Sequence, residues 1–109
     1  MAVDETLAAR VREEVGDLDG VVEKRMFGGL AFLLNGNMAV GVHGEDLIVR
    51  LPPEETDGAL GEPHVRIFDM TGRPMKGWVL VGPGATESDD GLGAWVTRGV
   101  DFAESLPAK

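Results

Sequence analysis

The chain has 109 residues, of which 43% are hydrophobic and 27% are charged, a balance typical of a globular domain. This length allows one hydrophobic core, so we expect a single domain over residues 1–109 rather than a two-domain enzyme. The formal net charge of −9 disfavours a stand-alone nucleic-acid-binding domain, because Lys and Arg contacts to phosphate supply most non-specific affinity.

Other classes are disfavoured by what the sequence lacks. It has no cysteine, so neither disulfides nor thiolate metal sites are expected, which favours the cytoplasm. The longest apolar run, Leu30 to Leu34, is far shorter than a membrane span, and the N-terminus does not resemble a secretory signal. The acidic excess lies in the terminal segments: residues 1–23 carry seven acids against two bases, whereas residues 24–76 are nearly balanced.

The first predicted element is an amphipathic helix over residues 4–18. Its apolar positions recur every four residues, at Leu7, Val11 and Val15. Asp4 is a suitable N-cap, and Gly16 marks the C-terminal end of the helix. Residues 20–26 then lead into a sheet as a short extended segment.

Residues 26–51 are predicted to form three antiparallel strands joined by tight turns. Asn35-Gly36 lies between two apolar runs, which is a strong hairpin signal because a type I′ turn needs two residues that tolerate positive φ. A second turn at Gly44-Glu45 sets the third strand. The expected cross-strand pairs are Leu33 with Met38, Phe32 with Ala39, Ala31 with Val40, Leu30 with Gly41, Val42 with Leu47, Val40 with Val49 and Met38 with Leu51.

These pairs divide the strand residues between two faces of the sheet. The predicted core face consists of Ala31, Leu33, Met38, Val40, Val42, Leu47, Val49 and Leu51. The opposite face places large residues around the small Ala39 and Gly41, and an uncovered apolar face is a common interaction surface. The candidate interaction face, which could also hold a homodimer together, therefore consists of Leu30, Phe32 and Ile48. The alternative is that a helix of the same chain covers it.

The second half of the chain predicts a short helix, two strands and a long helix. Pro52-Pro53 ends the meander and opens a helix over residues 53–60, and the strands follow at residues 65–69 and 77–81. Gly82-Pro83-Gly84 predicts a break, after which Ser88 can cap the last helix. The order α-βββ-α-ββ-α predicts a two-layer α+β domain, in which a mostly antiparallel five-stranded sheet packs against helices.

No group of residues predicts catalytic chemistry. His43 and His64 each lack a second ligand at helical metal-binding spacing, and neighbouring acids such as Glu13-Glu14 point in different directions. Gly28-Gly29 precedes a predicted strand and does not continue into a phosphate-binding motif. We therefore predict no catalytic residue, no metal site and no cofactor.

One loop is a candidate binding site, because binding residues are often carried on loops that a rigid scaffold positions. The candidate binding loop consists of Met26, Phe27, Gly28, Gly29, Thr71, Gly72, Arg73, Pro74, Met75 and Lys76. In this hypothesis Arg73 clamps an anion, the glycines let a ligand approach the backbone, and His64 contributes at the margin. The alternative is an ordinary connection in which Arg73 pairs with Asp69 or with a helix acid.

Motifs that extend from about Val22 to Pro107 point to a family. They are Met26-Phe27-Gly28-Gly29-Leu30-Ala31-Phe32-Leu33-Leu34-Asn35-Gly36-Asn37-Met38, Gly41-Val42, Leu47-Ile48-Val49-Arg50, Pro63-His64-Val65, Phe68, Thr71-Gly72-Arg73-Pro74-Met75, Gly77-Trp78, Trp95, Gly99 and Phe102. With these motifs the chain resembles the N-terminal domain of the TfoX (Sxy) family of competence regulators. The resemblance implies a small domain with an antiparallel sheet, similar to the type III secretion chaperone-like fold.

The resemblance also implies a function. Members with known roles are cytoplasmic regulators of natural competence, thought to act with the cAMP receptor protein at promoters, and they carry a further C-terminal domain. This chain ends at Lys109, so we expect a stand-alone N-terminal-type domain. The family supplies no established catalytic residues, although some stand-alone members bear an RNA-methyltransferase label.

We therefore expect a non-catalytic, cytoplasmic regulatory or adaptor domain that acts by protein–protein interaction. The expected partners are proteins, including the transcription machinery or a second copy of the chain, without direct nucleic-acid binding or membrane association. A small-ligand-binding module or an enzyme is the alternative.

Overall fold

An antiparallel sheet and two long helices form the frame of the computed structural model, which describes residues 4–16, 18–26, 29–68 and 76–108. The strands are β1 (Val21–Met26), β2 (Gly29–Leu34), β3 (Asn37–His43), β4 (Asp46–Arg50), β5 (Val65–Ile67) and β6 (Trp78–Val81). The helices are α1 (Glu5–Val15), α2 (Thr56–Leu60), α3 (Pro83–Thr86) and α4 (Asp89–Ser105), and a 3₁₀ turn at Pro53–Glu55 precedes α2.

The strands within these residues form one six-stranded sheet in the order β1-β2-β3-β4-β6-β5, with every neighbouring pair antiparallel. The α+β class is therefore confirmed, and the prediction of five strands is wrong. The additional strand is β1, which the sequence predicted only as an extended lead-in. It pairs with β2 over its whole length, from Val21 opposite Leu34 to Met26 opposite Gly29.

The predicted hairpin turn is present, and its register is correct only next to the turn. Asn35 and Gly36 have φ of 53° and 86°, and Leu33 lies opposite Met38 as expected. Beyond that pair the register shifts by one residue, so that Phe32 lies opposite Val40. The other two shifted pairs are Ala31 with Gly41 and Leu30 with Val42, which makes all three of these predicted pairs wrong. Ala39 is the extra residue of a β-bulge.

The bulge exchanges the faces of β2, because a shift of one residue turns every side chain to the other side of a sheet. The helix side contains Leu30, Phe32, Leu34, Val40, Val42, Leu47, Val49 and Leu51. A second apolar cluster on the other side contains Ala31, Met38, Ile48, Phe68 and Leu80, with Leu33 and Trp78 packed against it. The predicted core face was therefore wrong for Ala31, Leu33 and Met38, and right for its other members: Val40, Val42, Leu47, Val49 and Leu51.

The two long helices begin where the sequence predicts. The Asp4 side chain accepts hydrogen bonds from the backbone N–H groups of Thr6 and Leu7, and Ser88 Oγ accepts one from the N–H of Gly91. Each helix buries one apolar stripe against the sheet or the other helix: Leu7, Ala8, Val11 and Val15 in α1, and Leu92, Trp95, Val96, Gly99, Val100 and Ala103 in α4. Such burial contributes roughly 1.5–3 kcal/mol for each large aliphatic side chain.

The segment expected to be a break after β6 is helical. Pro83 occupies the first turn of α3. Backbone N–H groups in the first turn have no acceptor within the helix, so a proline there costs no helical hydrogen bond. The predicted helix at residues 53–60 is confirmed as the 3₁₀ turn followed by α2. None of the helices in the described ranges is long and apolar enough to cross a membrane.

Candidate functional site

The candidate interaction face does not exist as one surface. Leu30 and Phe32 point to the helix side of the sheet, whereas Ile48 lies in the second apolar cluster on the opposite side. The exposed fractions of the three residues are 5%, 1% and 0%. The prediction that these residues share an exposed face is therefore wrong, because the bulge at Ala39 turns the β2 side chains toward the helices.

The described members of the candidate binding loop lie far apart. Gly29 begins β2 at the end of the sheet that holds the Gly44 turn, because Leu30 pairs with Val42. Lys76 precedes β6 at the other end, where Trp78 pairs with Arg50, and its side chain is exposed. Phe27, Gly28, Thr71, Gly72, Arg73, Pro74 and Met75 lie outside the described residues, as does the side chain of Met26.

Of the two histidines, His43 lies beside Gly29, because their neighbours Val42 and Leu30 pair, whereas His64 is remote from it. His64 has φ of 67°, its carbonyl accepts a hydrogen bond from Gly82 N–H at 2.8 Å, and it lies beside the opposite edge of the sheet from Gly29. His43 pairs with Asp46 across the β3–β4 turn. Within the described ranges, no group of His, Cys, Asp and Glu side chains could hold a metal ion.

A groove between α1 and α4 combines apolar and acidic residues. The α1–α4 groove, with a volume of about 320 Å³, is lined by Glu14, Leu18, Val96, Thr97, Val100, Asp101 and Glu104. Val96 and Val100 lie one helical turn apart and form an apolar floor. Leu18 follows α1 and is 38% exposed, although it is a large apolar residue. Val96 and Val100 are 3% and 8% exposed, so Leu18 supplies more of the exposed apolar area of the groove than the two valines do.

The two helices are close at the N-terminal end of this groove. A Cβ atom added at Gly93 would lie 3.1 Å from Glu14 Oε1. The carboxylate of Glu14 on α1 therefore packs against α4 at Gly93. Leu18 also lines a neighbouring cleft of about 350 Å³ between α1 and β1. Arg12 and Glu23 pair there at 2.7 Å, and this hydrogen bond raises the pKa of Arg12 above its ordinary value.

The charges around the α1–α4 groove are unbalanced. Every arginine of α1 and α4 pairs with an acid that does not line the groove: Arg10 with Asp89, Arg12 with Glu23, and Arg98 with Glu62 and Glu55. No ion pair in the described part of the chain involves Glu14, Asp101 or Glu104. The groove therefore presents three carboxylates that form no ion pair, although Arg10 lines a neighbouring cleft with Glu14, and Arg98 lines another with Asp101.

Comparison with protein families matches residues 13–103 to the TfoX N-terminal domain, which is most of the 109-residue chain. The chain belongs to this family. The match includes the whole six-stranded sheet and every residue that lines the α1–α4 groove except Glu104. No curated protein and no solved structure matches the chain.

Sequence reasoning did not predict the groove of this TfoX N-terminal domain. One signal was present, because Leu18 continues the apolar spacing of α1 three residues after Val15 and beyond the helix end at Gly16. The other half of the groove comes from α4, which is remote in sequence. Its charge balance depends on long-range ion pairs such as that between Arg10 and Asp89, and these are not visible in local patterns.

Proposed function

We propose that this TfoX N-terminal domain is a cytoplasmic, non-catalytic regulatory domain that acts by binding a protein partner, as competence regulators of the family are expected to do. The observation that carries the proposal is the family match over residues 13–103. The transcription machinery is the partner class that follows from the regulators that the chain resembles.

Two physical features support a protein partner over a nucleic acid. The chain carries 19 acids against 10 bases, and the unpaired acids of α1 and α4 would repel a phosphate backbone. The α1–α4 groove also offers an apolar floor with a polar rim, which is the usual composition of a protein interface.

The ligand-binding alternative receives less support from the described residues. Gly29 and Lys76, which that hypothesis placed at one site, are at opposite ends of the sheet. A single small molecule could not contact both residues.

The proposed function is tested by isolating a partner and rebuilding the complex. The purified chain would be immobilised and exposed to host extract at physiological salt, with an unrelated folded protein of similar net charge as the control. Each protein enriched only by the chain would then be purified and mixed with it, and the complex would be measured by calorimetry. A defined stoichiometry supports the proposal, whereas the absence of any reconstituted complex contradicts it.

A further inference from the structure

We infer that the α1–α4 groove binds a cationic amphipathic helix presented by the protein partner. This inference rests on the proposed function and specifies the surface and the chemistry through which it operates. It depends on the apolar floor of the groove, on its unpaired carboxylates and on its length.

The apolar part of the argument concerns Leu18. Among the described residues, Leu18 and Val22 are the large aliphatic side chains that are exposed, at 38% and 62%. Val22 pairs with Leu33, so its side chain belongs to the other side of the sheet. Leu18 instead borders the nearly buried Val96 and Val100, and apolar partner side chains would remove the exposed part of Leu18 from water.

The electrostatic part of the argument selects the sign of the partner. Glu14, Asp101 and Glu104 form the rim and have no ion-pair partner among the described residues. The nearby arginines of both helices are already paired elsewhere. Lys or Arg side chains of a partner would therefore meet carboxylates that are not engaged in an ion pair, whereas an acidic partner would be repelled within the Debye length of about 8 Å at physiological salt.

The length of the groove indicates the shape of the partner segment. Its α4 side extends from Val96 to Glu104, which at a rise of 1.5 Å per residue is roughly 12 Å, or about two helical turns. Apolar residues at i and i+3 or i+4 on a helix of this length would face Leu18 and the valine floor. Cationic residues on its flanks would then reach the acidic rim.

The test uses a fluorescent 15-residue amphipathic peptide of leucine and lysine, with a leucine–glutamate peptide of the same pattern as its counterpart. Binding to the full chain would be measured by anisotropy at about 0.15 M salt. The groove variant carries Glu14→Lys, Asp101→Lys and Glu104→Lys. The matched control carries Glu45→Lys, Glu54→Lys and Asp57→Lys, which changes the net charge equally at exposed positions that do not line the groove.

We expect the groove variant to bind the lysine peptide about tenfold or more weakly, and the matched control to lose less than about threefold. Leu18→Ser keeps the charge constant and should weaken binding by about fivefold, because less apolar area is buried. The glutamate peptide should not bind the wild-type chain. Circular dichroism and urea unfolding would verify that each variant is folded.

Four results would overturn the inference. Equal losses in the two triple variants would show that only net charge matters, and binding of the glutamate peptide would contradict the role of the rim. A wild-type dimer that Leu18→Ser converts to monomer would show that a second copy occupies the groove. If a reconstituted partner complex forms but survives in the groove variant, the groove assignment fails while the proposed function stands.

Discussion

Replacing Gly99 with alanine tests how closely α4 packs on the sheet. An added Cβ atom at this position would overlap the carbonyl oxygen of Ala39 and would lie 2.7 Å from Val40 Cγ1. The obstructing oxygen belongs to the backbone of β3, so it cannot move aside by a side-chain rotation. Accommodating the methyl group therefore requires α4 and β3 to separate.

The expected magnitude combines two opposing terms. Alanine in place of glycine within a helix stabilises it by about 1 kcal/mol, whereas overpacking a close contact costs about 1–3 kcal/mol. Because the overlap involves rigid backbone, we expect the upper part of that range and a net loss of about 2 kcal/mol. Gly93→Ala in the same helix meets the flexible end of Glu14, so it should gain up to about 1 kcal/mol.

Urea unfolding of the two variants followed by circular dichroism measures this contrast. Gly99→Ala should lower the midpoint and Gly93→Ala should raise it, with a difference of about 3 kcal/mol between the variants. Gly58→Ala is a further control, because nothing lies within 4 Å of the added Cβ atom. A Gly99→Ala protein as stable as wild type would show that α4 does not contact β3 as described.

Substitutions at three further positions test individual polar and backbone features by urea unfolding. Thr56→Val should cost about 1–3 kcal/mol because it leaves the buried N–H of Gly77 without the Thr56 Oγ1 acceptor 2.7 Å away, whereas Thr56→Ser should retain most of the stability. Asn37→Ala should cost about 1–2 kcal/mol and speed hydrogen exchange near the C-terminus, because the buried Asn37 side chain donates to the Pro107 carbonyl at 2.9 Å. Gly36→Ala should cost about 1 kcal/mol because its φ is 86°, and an unchanged stability would contradict the turn geometry.

The features that the sequence predicted correctly are determined locally. Asp4 and Ser88 cap helices through N–H groups two or three residues away, and the Asn35-Gly36 turn depends on the φ preferences of its own residues. The bulge at Ala39 is not determined locally in this way. The sequence of residues 37–42 contains no signal that distinguishes a regular strand from a bulged one. The bulged Ala39 lies against Gly99 of α4, which is sixty residues further along the chain.

Neither strand β1 nor the groove was predicted from the sequence. At least four consecutive residues of β1 are exposed, so its sequence lacks the alternation by which half-buried strands are recognised. The groove combines α1, the segment after it and α4, and its unpaired charge results from arginines that bind acids elsewhere. Neither the shape of the groove nor its charge can be read from a single segment of the sequence.

The glycines of α4 connect the fold to the proposed binding surface. Considered alone, each interior glycine weakens the helix by about 1 kcal/mol relative to alanine. Gly99, however, lets α4 lie against β3 at the bulge, and this contact holds Val96 and Val100 at their present depth beside Leu18. A methyl group at Gly99 would lift α4 and separate the floor of the groove from Leu18, although Gly99 does not line the groove itself.

We therefore expect Gly99→Ala to weaken binding of the leucine–lysine peptide by about threefold or more at temperatures where the variant remains folded, with Gly58→Ala unchanged. The charge of the rim is the same in all three proteins, so a loss of affinity would be attributable to the shape of the floor. Equal affinity in a destabilised Gly99→Ala protein would mean that electrostatic attraction alone holds the peptide, and that the contact between α4 and β3 serves stability without shaping the groove.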